Sequence, residues 1–421
     1  MITVIMAGGK GTRISSVASD IPKPMIEIES KPVLEHEIEC LREQGFTDIL
    51  ITVGHLGNII MDYFGDGAEF GVNISYYFEK ELLGNAGALF KVKDQLTDDF
   101  LLLNADAMFD IDFNRFVDYH YSHGGIATLF THPNSHPYDS GVIVADDNHS
   151  VLNWLSKEDE RPEYYKNRVN AGLHVLSKKI LDVKVDKEKI DLDRDLLKPL
   201  AGTGKMYCYD SPEYVKDMGT PDRYYGVCED YRNGIIKARN LRNKQKAVFL
   251  DRDGTINKYV GFLTDIKKLE LIDGAAEAIK KINESGYLAI VVTNQPVIAR
   301  GEVSFEELES IHNKMETLLG EKGAYINGIY FCPHHPDKGF AGERIEYKIN
   351  CECRKPKPGM LLQAAGDFNI YLSSSWMVGD GRNDIEAGKS AGCKTILIGN
   401  EEFGQSVSVN SLKEFVDRYL E

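Results

Sequence analysis

Apolar residues recur along this chain in two alternating rhythms. Unbroken runs, ITVIMA (2–7), DILITVG (48–54), ISYYF (74–78) and FLLLNAD (100–106), read as buried strands. Between them, segments such as 32–45 carry apolar residues three and four apart, the spacing of a half-buried helix. Strand and helix in alternation predict a layered α/β fold. The rhythm loosens after VKDMGTPDRY (215–224), where a helix runs into RNGIIKARNLRNKQK (232–246), basic and poor in large core residues. A fresh strand opens at KAVFLDRDGTIN (246–257), and the alternation resumes with LAIVVTNQ (288–295), INGIYFCP (326–333), SWMVGDG (375–381) and TILIG (395–399). The pattern predicts two tandem three-layer α/β domains, over 1–235 and 246–421, with a linker at 236–245.

Composition supports two domains and narrows the partners. A chain of 421 residues, 43% hydrophobic and 27% charged, can bury two cores. Its formal net charge of -16 repels nucleic acid and anionic membranes, leaving small anions held by local cations as the expected ligands. The opening MITVIMAGG has no basic leader, and no run is long enough to span a bilayer, so the expected location is the cytoplasm. A homo-oligomer is compatible with this composition. In the cytoplasm, clustered thiols read as metal ligands or redox groups before they read as cross-links.

Of the 7 cysteines, three gather late in the chain. Cys332 and His334 of CPHH form a C-x-H pair, and Cys351 and Cys353 of INCECRKPKPG (349–359) form a C-x-C pair. Four such donors suit tetrahedral zinc, with His335 competing for the place of His334. The pairs flank a glycine- and charge-rich loop, 335–350, with little apolar content to hold its shape. A structural zinc would peg that loop and so position Arg354 and Lys355. Cysteines 40, 208, 228 and 393 sit in apolar or helical settings and read as packing residues.

The first strand runs into MAGGKGTR (6–13). Its spacing fits neither the dinucleotide glycine motif nor the phosphate-binding loop that ends in Gly-Lys-Ser/Thr. Gly8, Gly9 and Gly11 nevertheless let backbone amides approach a phosphate chain, and Lys10 and Arg13 bring charge to it. In IPKPM (21–25), Lys23 stands between two prolines that stiffen its segment. Taken singly, these are a glycine turn and a solvated lysine. Together they resemble the sugar-1-phosphate nucleotidyltransferase family, with its G-G-x-G-T-R and P-K-P signature, over roughly residues 1–235.

The resemblance implies a Rossmann-like, GT-A-like domain in which a sugar 1-phosphate attacks the α-phosphorus of a nucleoside triphosphate and pyrophosphate leaves. By family position, Gly8, Gly9, Gly11 and Thr12 bind the nucleotide, Arg13 grips pyrophosphate, Lys23 balances charge, and Asp106 and Asp217 hold Mg²⁺. Glu79 and Gly84 are nucleotide and sugar candidates, Gly141 and Asn170 line the sugar pocket, and Lys157 is a sugar-phosphate ligand. The chain departs from the family at Asn85, where many relatives carry Thr, and at SKE (156–158), where they read Glu-Lys-Pro.

Asp251 and Asp253 of FLDRDGTIN could open a calcium loop, but Ile256 stands at the obligatory glycine position and Phe262 at the closing glutamate. The D-x-D-G-T motif instead resembles the haloacid dehalogenase phosphatase superfamily. Thr293 and Asn294 of VVTNQ, Arg354 and Lys355 of CRKPKPGM, and Asp380 and Asp384 of VGDGRND follow in that superfamily's order. The resemblance implies Asp251 as nucleophile, Asp253 as acid and base, and Lys355 and Thr293 on the transferring phosphoryl group. Mg²⁺ would lie on Asp251, the Asp253 carbonyl and Asp380, Asn294 would bind substrate, and Asp384 would orient Lys355 or assist the metal.

A zinc loop in a domain without a cap resembles the histidinol-phosphate and heptose-bisphosphate phosphatases. RKPKPGM leans towards the heptose group, in which Arg354 contacts substrate phosphate. A 7-phosphatase acting on D-glycero-D-manno-heptose 1,7-bisphosphate makes the 1-phosphate that a sugar nucleotidyltransferase consumes. The expected enzyme therefore makes heptose 1-phosphate and then GDP-heptose from GTP. The alternatives are a hexose-1-phosphate nucleotidyltransferase fused to a histidinol-phosphate-type phosphatase, and a catalytically dead sensor of nucleotides or sugar phosphates. The intact aspartates disfavour the sensor.

Overall fold

A computed structural model describes residues 1–9, 20–81, 83–184 and 186–420. Lys10, Gly11, Thr12 and Arg13 lie outside the described residues. The chain forms two units, one of Met1–His132, Ile143–Leu155 and Asn170–Asn240, the other of Pro133–Val142, Ser156–Val169 and Leu241–Glu421. Among the described residues no helix is long and apolar enough to cross a membrane.

In the first unit, strands β1 (Thr3–Ala7), β2 (Asp48–Val53), β3 (Asn73–Phe78) and β4 (Asp99–Asn104) lie parallel in the order β4-β1-β2-β3. Ile5, Ile51 and Leu103 fill one face while Val4, Leu50 and Leu102 fill the other. With both faces buried, β1, β2 and β4 show unbroken apolar runs and not an alternating pattern, whereas in the edge strand β3 only Ile74 is buried. Helix α1 (Val33–Arg42) packs Leu34, Ile38 and Leu41 against the first of these faces. The short strand β5 (Ala107–Asp110) then leaves the sheet, which is extended by β6 (Ala127–His132), β7 (Val142–Ala145), β8 (Val151–Leu155), β9 (Val169–Ser177) and β10 (Met206–Asp210). Strand β9 runs antiparallel beside β4. The last strand, β11 (Tyr214–Asp217), pairs antiparallel with β5 and leads into helix α2 (Pro221–Arg232).

The second unit is a six-stranded parallel sheet. Its strands are β12 (Lys246–Leu250), β13 (Tyr287–Asn294), β14 (Gly328–Cys332), β15 (Trp376–Gly379), β16 (Lys394–Ile398) and β17 (Val407–Val409), in the order β14-β13-β12-β15-β16-β17. Helices α3 (Ala275–Glu284) and α4 (Phe305–Gly320) cover Leu250 and Val291 on one face. Helix α5 (Gly359–Asp367) packs on Phe249 and Ile290 on the other, where α6 (Arg382–Ala391) adds Ala387. Chain direction across the sheet reverses between β12 and β15, and in open parallel sheets ligands bind beyond the strand ends at such a point. Residues 156–169 also belong to this unit. Tyr165 N donates to Thr317 Oγ1 at 3.0 Å and Asn167 N to Glu316 Oε2 at 2.6 Å, both acceptors on α4.

Candidate active sites

In the first unit, Asp106 lies in the two-residue turn between β4, which ends at Asn104, and β5, which begins at Ala107. The β5–β11 register sets Asp217 opposite Ala107, and Met218 N donates to the Asp106 carbonyl at 3.2 Å. That pairing brings two sequence-distant carboxylates together. Lys23, in a short turn held by buried Pro22 and Pro24, places Nζ 2.8 Å from Asp106 Oδ2. Arg223 on α2 forks both oxygens of Asp217, at 2.9 and 2.7 Å, and Gly219 N adds a bond at 2.9 Å. Burial pushes the Asp217 carboxyl up, but Arg223 and the Gly219 amide outweigh it and hold the group below its usual range. Asp106 and Asp217 remain 49% and 43% exposed, hard oxygen donors open to a ligand, as Mg²⁺ requires.

Gly8 lies against Glu79, where a Cβ would fall 2.7 Å from Oε1. Burial raises the Glu79 carboxyl, partly offset by a backbone bond from Leu83. Gly84 has a packing reason of its own. Its φ is +81°, and a Cβ would meet the Ile190 carbonyl at 2.3 Å. Asn85 accepts from Leu192 N at 2.7 Å, so this departure from the family pattern braces the same contact. Asn170 Oδ1 is engaged within the fold by Gly172 N at 3.3 Å and His174 Nε2 at 3.2 Å. Gly141 and exposed Lys157 belong to the second unit.

In the second unit, Asp251 follows β12 and Asp380 follows β15, the two strands that flank the reversal. Lys355 is buried between them, its Nζ 2.8 Å from Asp251 Oδ1, 2.6 Å from Asp384 Oδ1 and 2.8 Å from the Val292 carbonyl. Burial opposes the lysine's charge, but the two carboxylates more than offset it and raise its pKa. Asp251 itself is pushed up to about 6, by burial first, against the pull of Lys355. Gly254, with φ +81°, is required because a Cβ there would sit 2.0 Å from Asp380 Oδ2. Donor atoms of Asp251, Asp380 and Asp384 lie within 4.8 Å of one another. Such crowding of negative charge fits a divalent cation on oxygen ligands.

Asp253 is held by three partners that its motif alone does not disclose. Fully buried Arg252 reaches its oxygens at 2.8 and 3.1 Å, while Asn257 Nδ2 and Gln295 Nε2 donate at 3.0 Å each. Burial would raise this carboxyl, but these donors together lower it. The free site therefore holds Asp253 ionised. Gln295 also donates to Thr293 Oγ1 at 2.9 Å. Asn294 works on the backbone. It accepts from Lys355 N and donates to the Lys355 carbonyl, each at 3.0 Å, and so pins the lysine's segment. Of the two roles open to Asp384, the geometry supports orientation of Lys355. Arg252, Asn257 and Gln295 were visible only as polar residues inside the motif runs FLDRDGTIN and VVTNQ.

Cys332 ends β14, and its sulfur lies 3.5 Å from Cys351 Sγ and 3.3 Å from Cys353 Sγ. Cys351 and Cys353 are 3.2 Å apart, and His334 Nδ1 stands 3.4 Å from Cys353 and 3.7 Å from Cys332. Tetrahedral zinc with bonds of about 2.3 Å to sulfur sets its ligand atoms about 3.5–3.8 Å apart, so the four donors are arranged for one ion. His335 accepts from Asp337 N through Nδ1 and stays outside the group of four. Arg354 donates to the His334 carbonyl at 3.1 Å, which ties the cluster to the residue preceding Lys355.

The family model described as Nucleotidyl transferase matches residues 2–234, more than half of the chain, and that described as HAD-hydrolase-like matches 352–411. A D-glycero-beta-D-manno-heptose-1,7-bisphosphate 7-phosphatase of Pasteurella multocida is 46% identical over 156 residues, covering 37% of this chain and 82% of that protein. A UTP–glucose-1-phosphate uridylyltransferase of Synechocystis is 34% identical, covering 58% of this chain and 66% of that protein. A mannose-1-phosphate guanyltransferase of Saccharomyces cerevisiae is 30% identical, covering 56% of this chain and 65% of that protein. The chain thus spans about two thirds of each transferase relative. It belongs to the nucleotidyl transferase family over its N-terminal half and to the D-glycero-D-manno-heptose-1,7-bisphosphate 7-phosphatase family over its C-terminal part.

Proposed function

We propose that this chain performs two consecutive steps of activated-heptose synthesis, removing the 7-phosphate of D-glycero-D-manno-heptose 1,7-bisphosphate and then transferring a nucleotidyl group, from GTP, to heptose 1-phosphate. One observation carries the reading: a single chain holds both the Asp251–Lys355–Asp384 constellation and the Lys23–Asp106–Asp217 group, and the product of the first chemistry is the substrate of the second.

Asp251 attacks the 7-phosphorus in line. The bond from phosphorus to the sugar oxygen breaks, and an aspartyl-phosphate forms. Lys355 offsets negative charge on the nucleophile and the phosphoryl group. Thr293 accepts from Gln295 and so has its own hydroxyl hydrogen for a phosphoryl oxygen. Asp253 begins as a carboxylate; an incoming phosphate dianion raises its proton affinity, and the proton it takes up passes to the leaving sugar oxygen. Asp253, again ionised, then takes a proton from water as that water attacks the aspartyl-phosphate. Asp251, the Asp253 carbonyl and Asp380 would hold Mg²⁺, which supplies Lewis-acid charge when bound. Cys332, His334, Cys351 and Cys353 would hold a structural zinc that fixes the loop beside Arg354.

In the other unit, an oxygen of the sugar 1-phosphate attacks the α-phosphorus of GTP and pyrophosphate leaves. Lys23 neutralises the reacting phosphates, Asp106 and Asp217 would hold Mg²⁺, and Gly8 and Glu79 line the nucleotide side. Arg13, with Gly11 and Thr12, is assigned to the triphosphate by motif. The guanyltransferase relative favours GTP, whereas the uridylyltransferase relative makes UTP the competing donor. We place this chemistry in the cytoplasm, where sugar phosphates and nucleoside triphosphates are both available. The test is to supply heptose 1-phosphate and Mg²⁺ with each nucleoside triphosphate in turn and follow products by mass spectrometry. GDP-heptose formed fastest with GTP supports the reading; UDP-heptose as the main product would replace the base assignment.

A further inference from the structure

Between β12 and α3 the second unit has only residues 251–274, so the surfaces that close over a substrate are loops. One of them, 258–264, exposes apolar side chains that phosphoryl chemistry does not use: Tyr259, Val260 and Phe262 are 70%, 44% and 50% accessible. Its link to the cysteine loop is Arg300. The Arg300 Cζ stands 4.3 Å from the ring centre of Phe262 and 4.3 Å from that of Phe340, and its Nε donates to Glu302 at 2.8 Å. Phe340 lies in the loop between the two metal-ligand pairs. Lys348 Nζ stands 4.5 Å from the same ring and is itself bound to the Asp337 carbonyl at 2.8 Å. The turn carrying Arg300 is fastened to that loop through its backbone. Ala299 N donates to Pro333 O at 3.2 Å, Arg344 N donates to Ala299 O at 3.0 Å, and a Cβ on Gly301 would fall 1.9 Å from the Gly342 carbonyl. Arg300 is therefore rooted on the cysteine-loop side, and its guanidinium reaches across to Phe262.

We propose that Arg300 is a positioning residue for substrate selectivity: by stacking on Phe262 and Phe340 it holds the 258–264 loop against the cysteine loop, and the two together form the wall that recognises a bulky sugar bisphosphate. A guanidinium suits this place because it is planar, always charged and weakly hydrated, and so can lie over aromatic rings while keeping its edge polar. A small ester that reaches only Asp251 and Lys355 does not touch this wall. The inference rests on the proposed heptose bisphosphate substrate.

The test uses full-length Arg300→Ala, Phe262→Ala and the double variant, assayed on heptose 1,7-bisphosphate and on p-nitrophenyl phosphate, with thermal unfolding and bound zinc as checks of folding. Each single substitution is expected to lower kcat/KM for the bisphosphate about 10-fold, mainly through KM, and the double variant to lose no more than either single. Turnover of p-nitrophenyl phosphate stays at the wild-type level. Loss in Arg300→Ala with none in Phe262→Ala would mean that Arg300 meets the substrate by itself, and would overturn the wall. Additive losses, or equal losses on both substrates, would overturn it too. Wild-type preference for the bisphosphate that survives in all three variants refutes this inference alone, whereas a wild type with no preference refutes the functional reading with it.

Discussion

Lys355 shows how much of the phosphatase site rests on one buried charge. Its ammonium has two carboxylates and a carbonyl as partners, and removing one carboxylate leaves a buried cation short of compensation. Asp384→Asn is expected to lower phosphatase kcat roughly 10- to 100-fold, since it weakens the hold on a group that must stay aligned with the nucleophile. Nucleotidyl transfer measured on the same sample stays at the wild-type rate; an unchanged phosphatase rate would remove Asp384 from the machinery. Glu37 on α1 is the opposite case. It is fully buried and, among the described residues, neither carboxyl oxygen has a hydrogen-bond partner, so burial, with a smaller push from Asp106, holds its pKa well above the usual range. The unfolded chain ionises Glu37 above the ordinary carboxylate pKa while the folded chain keeps it protonated, so this residue costs stability as pH rises. Glu37→Leu is expected to raise the urea midpoint at pH 7 by the equivalent of about 1–3 kcal/mol. A lowered midpoint would show that the carboxyl is satisfied in solution.

At the scale of elements, the strand-end turns set the chemistry. Gly254 is among the tightest, because its left-handed backbone lets Asp380 come within reach of Asp251. Gly254→Ala is expected to reduce phosphatase activity at least about 100-fold by displacing Asp380, with a higher Mg²⁺ requirement as the accompanying readout. Much of this level was legible in sequence. The unbroken apolar runs marked the strands, and the aspartate and threonine motifs at 251, 293 and 380 marked the strand ends that carry them. Other features carried no such sign. The β5–β11 ribbon that aligns Asp106 with Asp217 is short, and register between two distant segments leaves no local periodicity. Residues 156–169 join the second unit in part through backbone amides, such as Tyr165 N on Thr317, which any residue type could supply. Nothing in the run FLDRDGTIN marks Arg252 as internal, yet its side chain is buried as the counter-ion of Asp253.

Across the whole molecule, the buried histidines include His174 in the first unit and His312 in the second. Burial lowers each to about 3, against an ordinary value near 6.5. The unfolded chain takes up these protons first, so the stability that the neutral rings contribute is complete above pH 6.5 and is lost as pH falls towards 3. Urea midpoints should decline below pH 6.5, by at most roughly 1.4 kcal/mol per pH unit for each histidine, and His312→Leu should flatten that decline. A profile unchanged by His312→Leu would contradict the assignment.

The central claim, two consecutive reactions on one chain, is tested most directly by a time course with heptose 1,7-bisphosphate, GTP and Mg²⁺, comparing the native protein with Asp251→Asn and following phosphorus by NMR. The native protein should release phosphate and pass through heptose 1-phosphate to GDP-heptose and pyrophosphate. Asp251→Asn should leave the bisphosphate untouched while still converting added heptose 1-phosphate to GDP-heptose. Nucleotidyl transfer to the intact bisphosphate, or loss of both reactions in a folded Asp251→Asn protein, would contradict the account.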